Sequence, residues 1–281
     1  MSLARLIQMG ASGVSEEEDD IYADWTHPDI ANGVINTTYF ASPHGTLTSD
    51  FRWSYDGTKL FIAADNTDVH RHTASTAYDI TSVSSTVDNE KTFTETIASI
   101  FFKSDGTKVY TAQNTTTDII RQYSLSTAWD ISTATSDSKS YSSLQSTATR
   151  DFFIRYDGLK LYTMGNTTDK VFQHTLSTAW DISTASYDSK ELDLATEGSQ
   201  TSPSALWFAP TGEYVWVHGN ATDDIRQYSM TTAWDISTAS YDSIDFDDSN
   251  LVGPVSLQFN NDGSKLYFGR SLNDRIWEVA V

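Results

Sequence analysis

Residues 105–110 read Asp-Gly-Thr-Lys-Val-Tyr, and close variants of this hexapeptide punctuate the chain. Its glycine falls at Gly57, Gly106, Gly158, Gly212 and Gly263, at spacings of 49, 52, 54 and 51 residues. An Asp-Gly pair between two strand-like runs is a strong short-range hairpin signal. A second marker follows each of the first four turns. It reads Ser-Thr-Ala-Tyr-Asp-Ile at 75–80, Ser-Thr-Ala-Trp-Asp-Ile at 126–131 and 177–182, and Thr-Thr-Ala-Trp-Asp-Ile at 231–236. Self-similarity at a period of roughly 40–50 residues points to a propeller or a linear array.

Each unit reads as four strands. The first is apolar and aromatic, at 51–54, 100–103, 152–155, 206–209 and 257–260. The second is mixed, as at 108–112. The third alternates, as in Ile120-Arg121-Gln122-Tyr123-Ser124-Leu125. The fourth is nearly all polar, as at 137–143. A strand apolar on both faces is buried on both, whereas a polar one lies at a solvated edge. This gradient predicts an all-β propeller whose first strands line the axis and whose fourth strands form the rim.

The chain ends fix the number of blades. The fifth unit stops at Val281 after its third strand, and residues 35–42 have no unit of their own. Upstream, Trp25 and Asp29-Ile30 echo the Trp-Asp-Ile marker. The reading is a five-bladed β-propeller closed by an N-terminal strand that completes the last blade. The domains are an arm at 1–20 and the propeller at 21–281. Closing the ring from both ends removes the open edge of a linear array.

The core follows from the register. Trp53, Phe102, Ile154, Phe208 and Phe259 share a face with Phe51, Ile100, Phe152, Leu206 and Leu257. The opposite register holds Arg52, Phe101, Phe153, Trp207 and Gln258. Alternation alone leaves open which face fronts the axis.

Composition narrows the function classes. The chain has 281 residues, with 18 Lys+Arg against 38 Asp+Glu and a net charge of −20. Such a surface repels phosphate backbones, so no nucleic-acid partner is expected. The absence of cysteine excludes thiol catalysis and thiolate metal sites. No apolar run approaches the ~18 residues that argue for a membrane span, so no membrane insertion is expected. Ser and Thr number 36 and 37, which argues against long helices.

No constellation reads as a catalytic site. Asp50 and Asp151 share a register two blades apart and could meet near the channel mouth as a glycosidase-like pair. Ser99, Ala205 and Ser256 fill that register elsewhere, so the acidic set is incomplete. The recurrent aspartates Asp68, Asp118, Asp169, Asp223 and Asp274 are single carboxylates far from their copies. They are expected to accept backbone hydrogen bonds within their own turns rather than to hold calcium. The six histidines show no metal-binding spacing. No metal, no cofactor and no enzymatic activity are expected. The marker aromatics Tyr78, Trp129, Trp180 and Trp234 have two readings. They wedge between blades as core, or they stack on sugars and sum weak sites through avidity.

The hexapeptide at 105–110 resembles the repeats of YVTN and WD-like propellers. The longer run at 122–134, with Ser240-Tyr241-Asp242-Ser243 in a sister unit, is similar to repeats of propeller proteins from marine bacteria and their tailed bacteriophages. That resemblance spans 35–281. The opening 1–13, Met-Ser-Leu-Ala-Arg-Leu-Ile-Gln-Met-Gly-Ala-Ser-Gly, resembles the start of virion structural proteins of marine tailed phages. Together they imply a non-enzymatic virion protein, either a capsid decoration protein or a tail-fibre appendage for host adhesion. Leu3, Arg5, Leu6, Ile7 and Met9 would anchor the arm on other virion proteins of the capsid or tail. The acidic run Glu16–Glu18 and Asp19-Asp20 would act as a solvated spacer. Host surface glycans are the second partner class, which makes a lectin-like propeller the alternative.

Overall fold

Five antiparallel four-stranded sheets succeed one another along the chain. The computed structural model describes residues 24–281, apart from 42–46, 65–66, 114–117, 143–144, 146–147, 166, 252 and 271–272. The anchoring arm, with Leu3, Arg5, Leu6, Ile7 and Met9, lies outside the described residues. The first strands are Leu47–Trp53, Ile97–Phe102, Thr149–Ile154, Pro203–Phe208 and Pro254–Phe259. Each touches the first strand of the next blade, and the fifth touches the first, so the five sheets form a closed ring.

The fifth blade is completed as its truncated sequence requires. Strand Val34–Ala41 pairs antiparallel with Arg275–Ala280, through Phe40 opposite Ile276 and Val34 opposite Ala280. In the second, third and fourth blades the rim strands begin at the marker itself. Ala134–Tyr141 starts right after the short 3-10 turn Ile131–Thr133, three residues ahead of the polar run. Ser138, Ser189 and Ser243 interrupt three rim strands at φ of 57°, 56° and 60°. These bulges, set among polar residues, blunt the exposed edges.

Neighbouring blades are cemented by one repeated aromatic wedge. Phe61 of the first blade packs on Phe102 of the second, with ring centroids 4.2 Å apart. The same contact recurs as Tyr162 on Phe208 at 4.2 Å and Trp216 on Phe259 at 4.6 Å. Tyr267 on Trp53 at 5.5 Å closes the circle from the fifth blade to the first. All of these rings are buried. Burying each contributes about 1.5–3 kcal/mol before conformational entropy is charged.

The two sequence markers turn out to be one device. The N–H of Trp129 donates to the carbonyl of turn residue Gly106 at 3.0 Å, and Trp180 does the same to Gly158 at 3.0 Å. Tyr78 and Trp234 repeat this on Gly57 and Gly212 at 2.9 and 2.8 Å. Each ring then lies flat on the glycine. A Cβ on Gly106 would come within 2.4 Å of Trp129, and one on Gly158 within 2.6 Å of Trp180. The marker aromatics adopt φ of 54–64°, a costly conformation for a bulky residue that the ring contact and hydrogen bond hold in place. The turn needs glycine twice over, for its own positive φ and for this clearance.

The N-terminal segment supplies the missing marker of the fifth blade. Thr26 N–H donates to the Asp262 carbonyl at 2.9 Å, and Thr26 and Trp25 cover Gly263. Ile30 is fully buried, as are its counterparts Ile80, Ile131, Ile182 and Ile236. Trp25 stands four residues before Asp29 rather than one, yet it packs on Phe259 and Trp216 at 6.0 and 6.3 Å.

Three of the five recurrent turn aspartates do something other than expected. Asp118, Asp169 and Asp223 accept the N–H of Thr149, Ser202 and Gly253 at 3.3, 2.8 and 3.4 Å. They latch the loop entering the next blade instead of closing their own turn. Local closure is done by the hairpin aspartates, as with Asp105 accepting from Thr107 N at 2.9 Å. The marker aspartates act likewise, Asp181 accepting from Ser183 N at 3.2 Å.

Candidate functional site at the propeller axis

The less uniform register is the one that faces the axis. Asp50 and Arg52 from the first blade, Ser99 from the second, Asp151 from the third and Ser256 from the fifth meet there. All are at most 3% exposed. Arg52 Nη1 lies 2.9 Å from Asp50 Oδ1, and its Nη2 lies 2.9 Å from Asp151 Oδ1. Asp50 also accepts from Ile100 N at 2.7 Å, from Phe51 N at 2.8 Å and from the Ser256 hydroxyl. Asp151 accepts from Phe152 N at 2.8 Å and Leu206 N at 2.9 Å. The cluster therefore ties all five first strands together across the axis.

The electrostatics of the cluster favour one retained proton. Burial pushes the Asp50 carboxyl up to about 7, against the opposing pull of Arg52, and the neighbouring Asp151 adds to the rise. Burial also raises Asp151, again opposed by Arg52. Ser99 Oγ lies 2.6 Å from Asp151 Oδ1 and 3.0 Å from Asp50 Oδ2. One hydroxyl proton serves only one of these, so the second contact is best satisfied when a carboxyl carries a proton.

A raised carboxyl pKa fixes the sign of the pH dependence. The folded state holds a proton that the unfolded chain has released, so the Asp50 contribution is complete below its ordinary pKa. It is lost as pH rises through about 7. His174 and His218 act in the opposite sense. Burial lowers them to about 4 and about 3, so their contribution is lost as pH falls below the ordinary histidine range. The melting temperature of Asp50→Asn relative to that of the native protein should therefore rise from pH 5 to pH 8. Calorimetry over that range checks this, and a pH-independent difference would contradict it.

Above the cluster, toward the Asp-Gly turns, the axis opens into a mouth. Its cavity encloses about 40 Å3, room for a few water molecules. The walls are aromatic, with Trp53, Tyr55, Trp129, Tyr156, Trp180 and Trp207. Arg52 and Gln258 lie at its base, and Ser104 and Asn261 belong to the surrounding turns. Phe153 packs edge-on against Phe101 and Trp207 at 5.3 and 5.2 Å, and the Arg52 guanidinium lies 5.8 Å from the Trp207 ring. Small-ligand sites are several times larger, so the mouth has no room for a sugar ring.

The sequence-predicted residues divide between these places. Asp50 and Asp151 do meet, but beneath the mouth and locked by Arg52. Trp129 and Trp180 line the cavity, while Trp234 and Tyr78 do not. Trp129, Trp180 and Trp234 are wedged against the preceding blade, on Phe61 at 6.1 Å, Tyr110 at 6.5 Å and Tyr162 at 6.3 Å. The Tyr78 ring packs on Trp53 of its own blade at 5.8 Å. Among the described residues, no group of three or more His, Asp or Glu side chains is placed to hold a metal. Tyr55, Tyr156 and Asn261 escaped the sequence reading, because they vary from blade to blade where the repeat is silent.

No protein-family profile matches the chain, and no curated protein matches it in sequence. Solved structures do resemble it. A functionally unknown protein from Desulfotomaculum acetoxidans superposes with a TM-score of 0.51 at 13% identity, over 79% of this chain and 62% of that one. The chain thus spans about three fifths of that protein's length. The β-propeller domain of Cps50 (Swd1) from Myceliophteria thermophila gives 0.51 at 11% identity, over 83% and 82% of the two chains. A chain of a mitotic checkpoint complex gives 0.51 at 11% identity, over 100% and 98%. At these identities the likeness concerns fold alone, and that fold is the β-propeller.

Proposed function

We propose that the protein is a non-enzymatic structural component of a tailed-phage particle. It docks through residues 1–20 on capsid or tail proteins and displays the propeller outward. Capsid decoration and host adhesion from a tail appendage are the two settings. The resemblance of residues 1–13 and 122–134 to marine phage proteins supports the virion setting. The observation that carries the non-catalytic part is the state of Asp50 and Asp151. A carboxylate pair that does chemistry must reach its substrate. Here both are at most 1% exposed and share one guanidinium.

Gold-labelled antibody against residues 51–281, applied to intact particles of the source phage, tests the proposal. Label over the head identifies a decoration protein, and label at the tail identifies an adhesion appendage. Particles that carry no label would contradict the virion reading.

A further inference from the structure

The pentapeptide Ile-Arg-Gln-Tyr-Ser occurs twice, at 120–124 in the second blade and at 225–229 in the fourth. In the fourth blade its arginine is fully engaged. Arg226 Nε lies 2.8 Å from Asp224 Oδ2, its Nη1 donates to the Gly198 carbonyl, and its guanidinium is 5.4 Å from the Tyr241 ring. Gly198 ends the short helix Leu194–Gly198, which touches the outer strands of the third blade and strand Ala239–Asp247 of the fourth. That helix fills the space between the two blades, with Leu194 fully buried. In the second blade each of these partners is missing. Ile119 stands in place of Asp224, and Ser136 in place of Tyr241. Only residues 93–96 join the rim strand Asn89–Thr92 of the first blade to Ile97–Phe102, and they form no helix. Arg121 Nε is 3.9 Å from Glu95, beyond hydrogen-bond reach, and its side chain is 38% exposed against 13% for Arg226.

The unfilled space is a groove of about 500 Å3 between the first and second blades, open to solvent. Lys91 and Phe93 line one side, and Arg121, Tyr123, Ala134 and Ser136 the other. Two cations thus share a groove in a chain whose net charge is −20. Lys91 makes no hydrogen bond or ion pair among the described residues. Glu95 is a poor substitute for Asp224. It is 4% exposed, and its carboxylate already accepts from the hydroxyls of Tyr123, Thr111 and Thr94, the last two at 3.0 and 2.8 Å. We infer that the groove docks an acidic peptide segment of a partner protein. The peptide carboxylate meets Lys91 and Arg121, and an aliphatic side chain packs beside Phe93 and Ala134. The sister blade favours a peptide over other anions, since there the same arginine receives a main-chain carbonyl. A carboxylate on partly exposed cations binds modestly and more weakly as salt rises. The groove is separate from the arm at 1–20, and its docking does not depend on where the propeller is displayed.

The test uses the full chain and a synthetic octapeptide with blocked ends that copies residues 193–200, Asp-Leu-Ala-Thr-Glu-Gly-Ser-Gln. It carries the helix that fills the sister groove, together with two carboxylates. The Arg121 Nε–H resonance and the Phe93 amide report binding, the first assigned through Arg121→Gln. Millimolar peptide should shift both signals and saturate, and added salt should weaken the binding. A peptide with Asp193→Asn and Glu197→Gln should bind at least about tenfold more weakly. Arg121→Gln in the protein should weaken the unaltered peptide by a similar factor, read at Phe93. Ser136→Tyr restores the residue found at this place in the fourth blade. It should narrow the groove and weaken binding at least about tenfold while leaving the melting temperature unchanged. A heparin tetrasaccharide is the contrasting probe. Silence from the acidic peptide would overturn the inference, as would equal binding of its uncharged copy or undiminished binding by Ser136→Tyr. Tighter binding of the tetrasaccharide than of the peptide would also overturn it and assign the groove to an anionic sugar.

Discussion

Arg52→Met should be among the most damaging single substitutions in this protein. It removes the one cation that, among the described residues, pairs with the two buried carboxylates of the axis. Removing one partner of a buried ion pair typically costs about 3–5 kcal/mol, because the charge left behind is neither hydrated nor paired. At roughly 2–4 °C per kcal/mol, the melting temperature should fall by about 10 °C at pH 7.5. The loss should shrink at pH 5, where Asp50, raised to about 7, is protonated, and where Asp151, raised by burial, no longer has Arg52 to lower it. The triple variant Arg52→Met, Asp50→Asn, Asp151→Asn should return to within about 2 °C of the native value. Replacing a whole buried ionic cluster is far milder than breaking it. The asparagine carbonyls can still accept from Ile100 N and Leu206 N, which hold the neighbouring first strands. Calorimetry of the single and triple variants at both pH values checks this. A triple variant as unstable as Arg52→Met would show that the geometry of the ions, not their charge balance, holds the axis.

Deleting residues 1–44 should abolish cooperative folding, whereas deleting residues 1–20 should leave the melting temperature unchanged. The longer deletion removes Ile30 at 0% exposure, Phe40 at 6% and the strand that pairs with Arg275–Ala280. It also uncovers Gly263 and Trp277, the latter packed on Tyr39 at 4.8 Å. At about 1.5–3 kcal/mol for each large side chain, the loss approaches the whole net stability of a typical domain. An opened ring would also expose the edge of strand Arg275–Ala280 to other chains and promote aggregation. Circular dichroism melts and light scattering of the two truncations measure this. An unchanged melting temperature after the longer deletion would refute closure by the N-terminal strand.

The parts of the fold that repeat were legible in the sequence. The turn glycines at Gly57, Gly106, Gly158, Gly212 and Gly263 gave the period, and the truncated fifth unit required a strand from the other end. Even the marker echo at Trp25 and Asp29-Ile30 had its counterpart in the structure, because Ile30 fills the same buried socket as Ile182. What the repeat averages away was hidden. Arg52 stands where the other blades carry Phe101, Phe153, Trp207 and Gln258, so periodicity made it an exception rather than the keystone. Asp50 and Asp151 were visible as a pair, but only the converging first strands show that Arg52 lies between them. The latch from Asp169 to Ser202 spans 33 residues, and no local rule reaches that far. The mouth depends on Tyr55, Ser104, Tyr156 and Asn261, which occupy one turn position with differing chemistry. Sites assembled from the non-repeating residues of a repeat protein are the ones a sequence pattern is least able to display.

The buried ion cluster makes the propeller axis a sealed structural clasp. Native-state hydrogen exchange at the amides of Phe51, Ile100, Phe152 and Leu206 tests it most directly, since each donates to Asp50 or Asp151. A sealed axis predicts that these four amides exchange only through global unfolding, with the same free energy as the slowest core amides. Exchange through small local openings, well below the global free energy, would reveal a solvated channel in which the two carboxylates are free to act on a substrate.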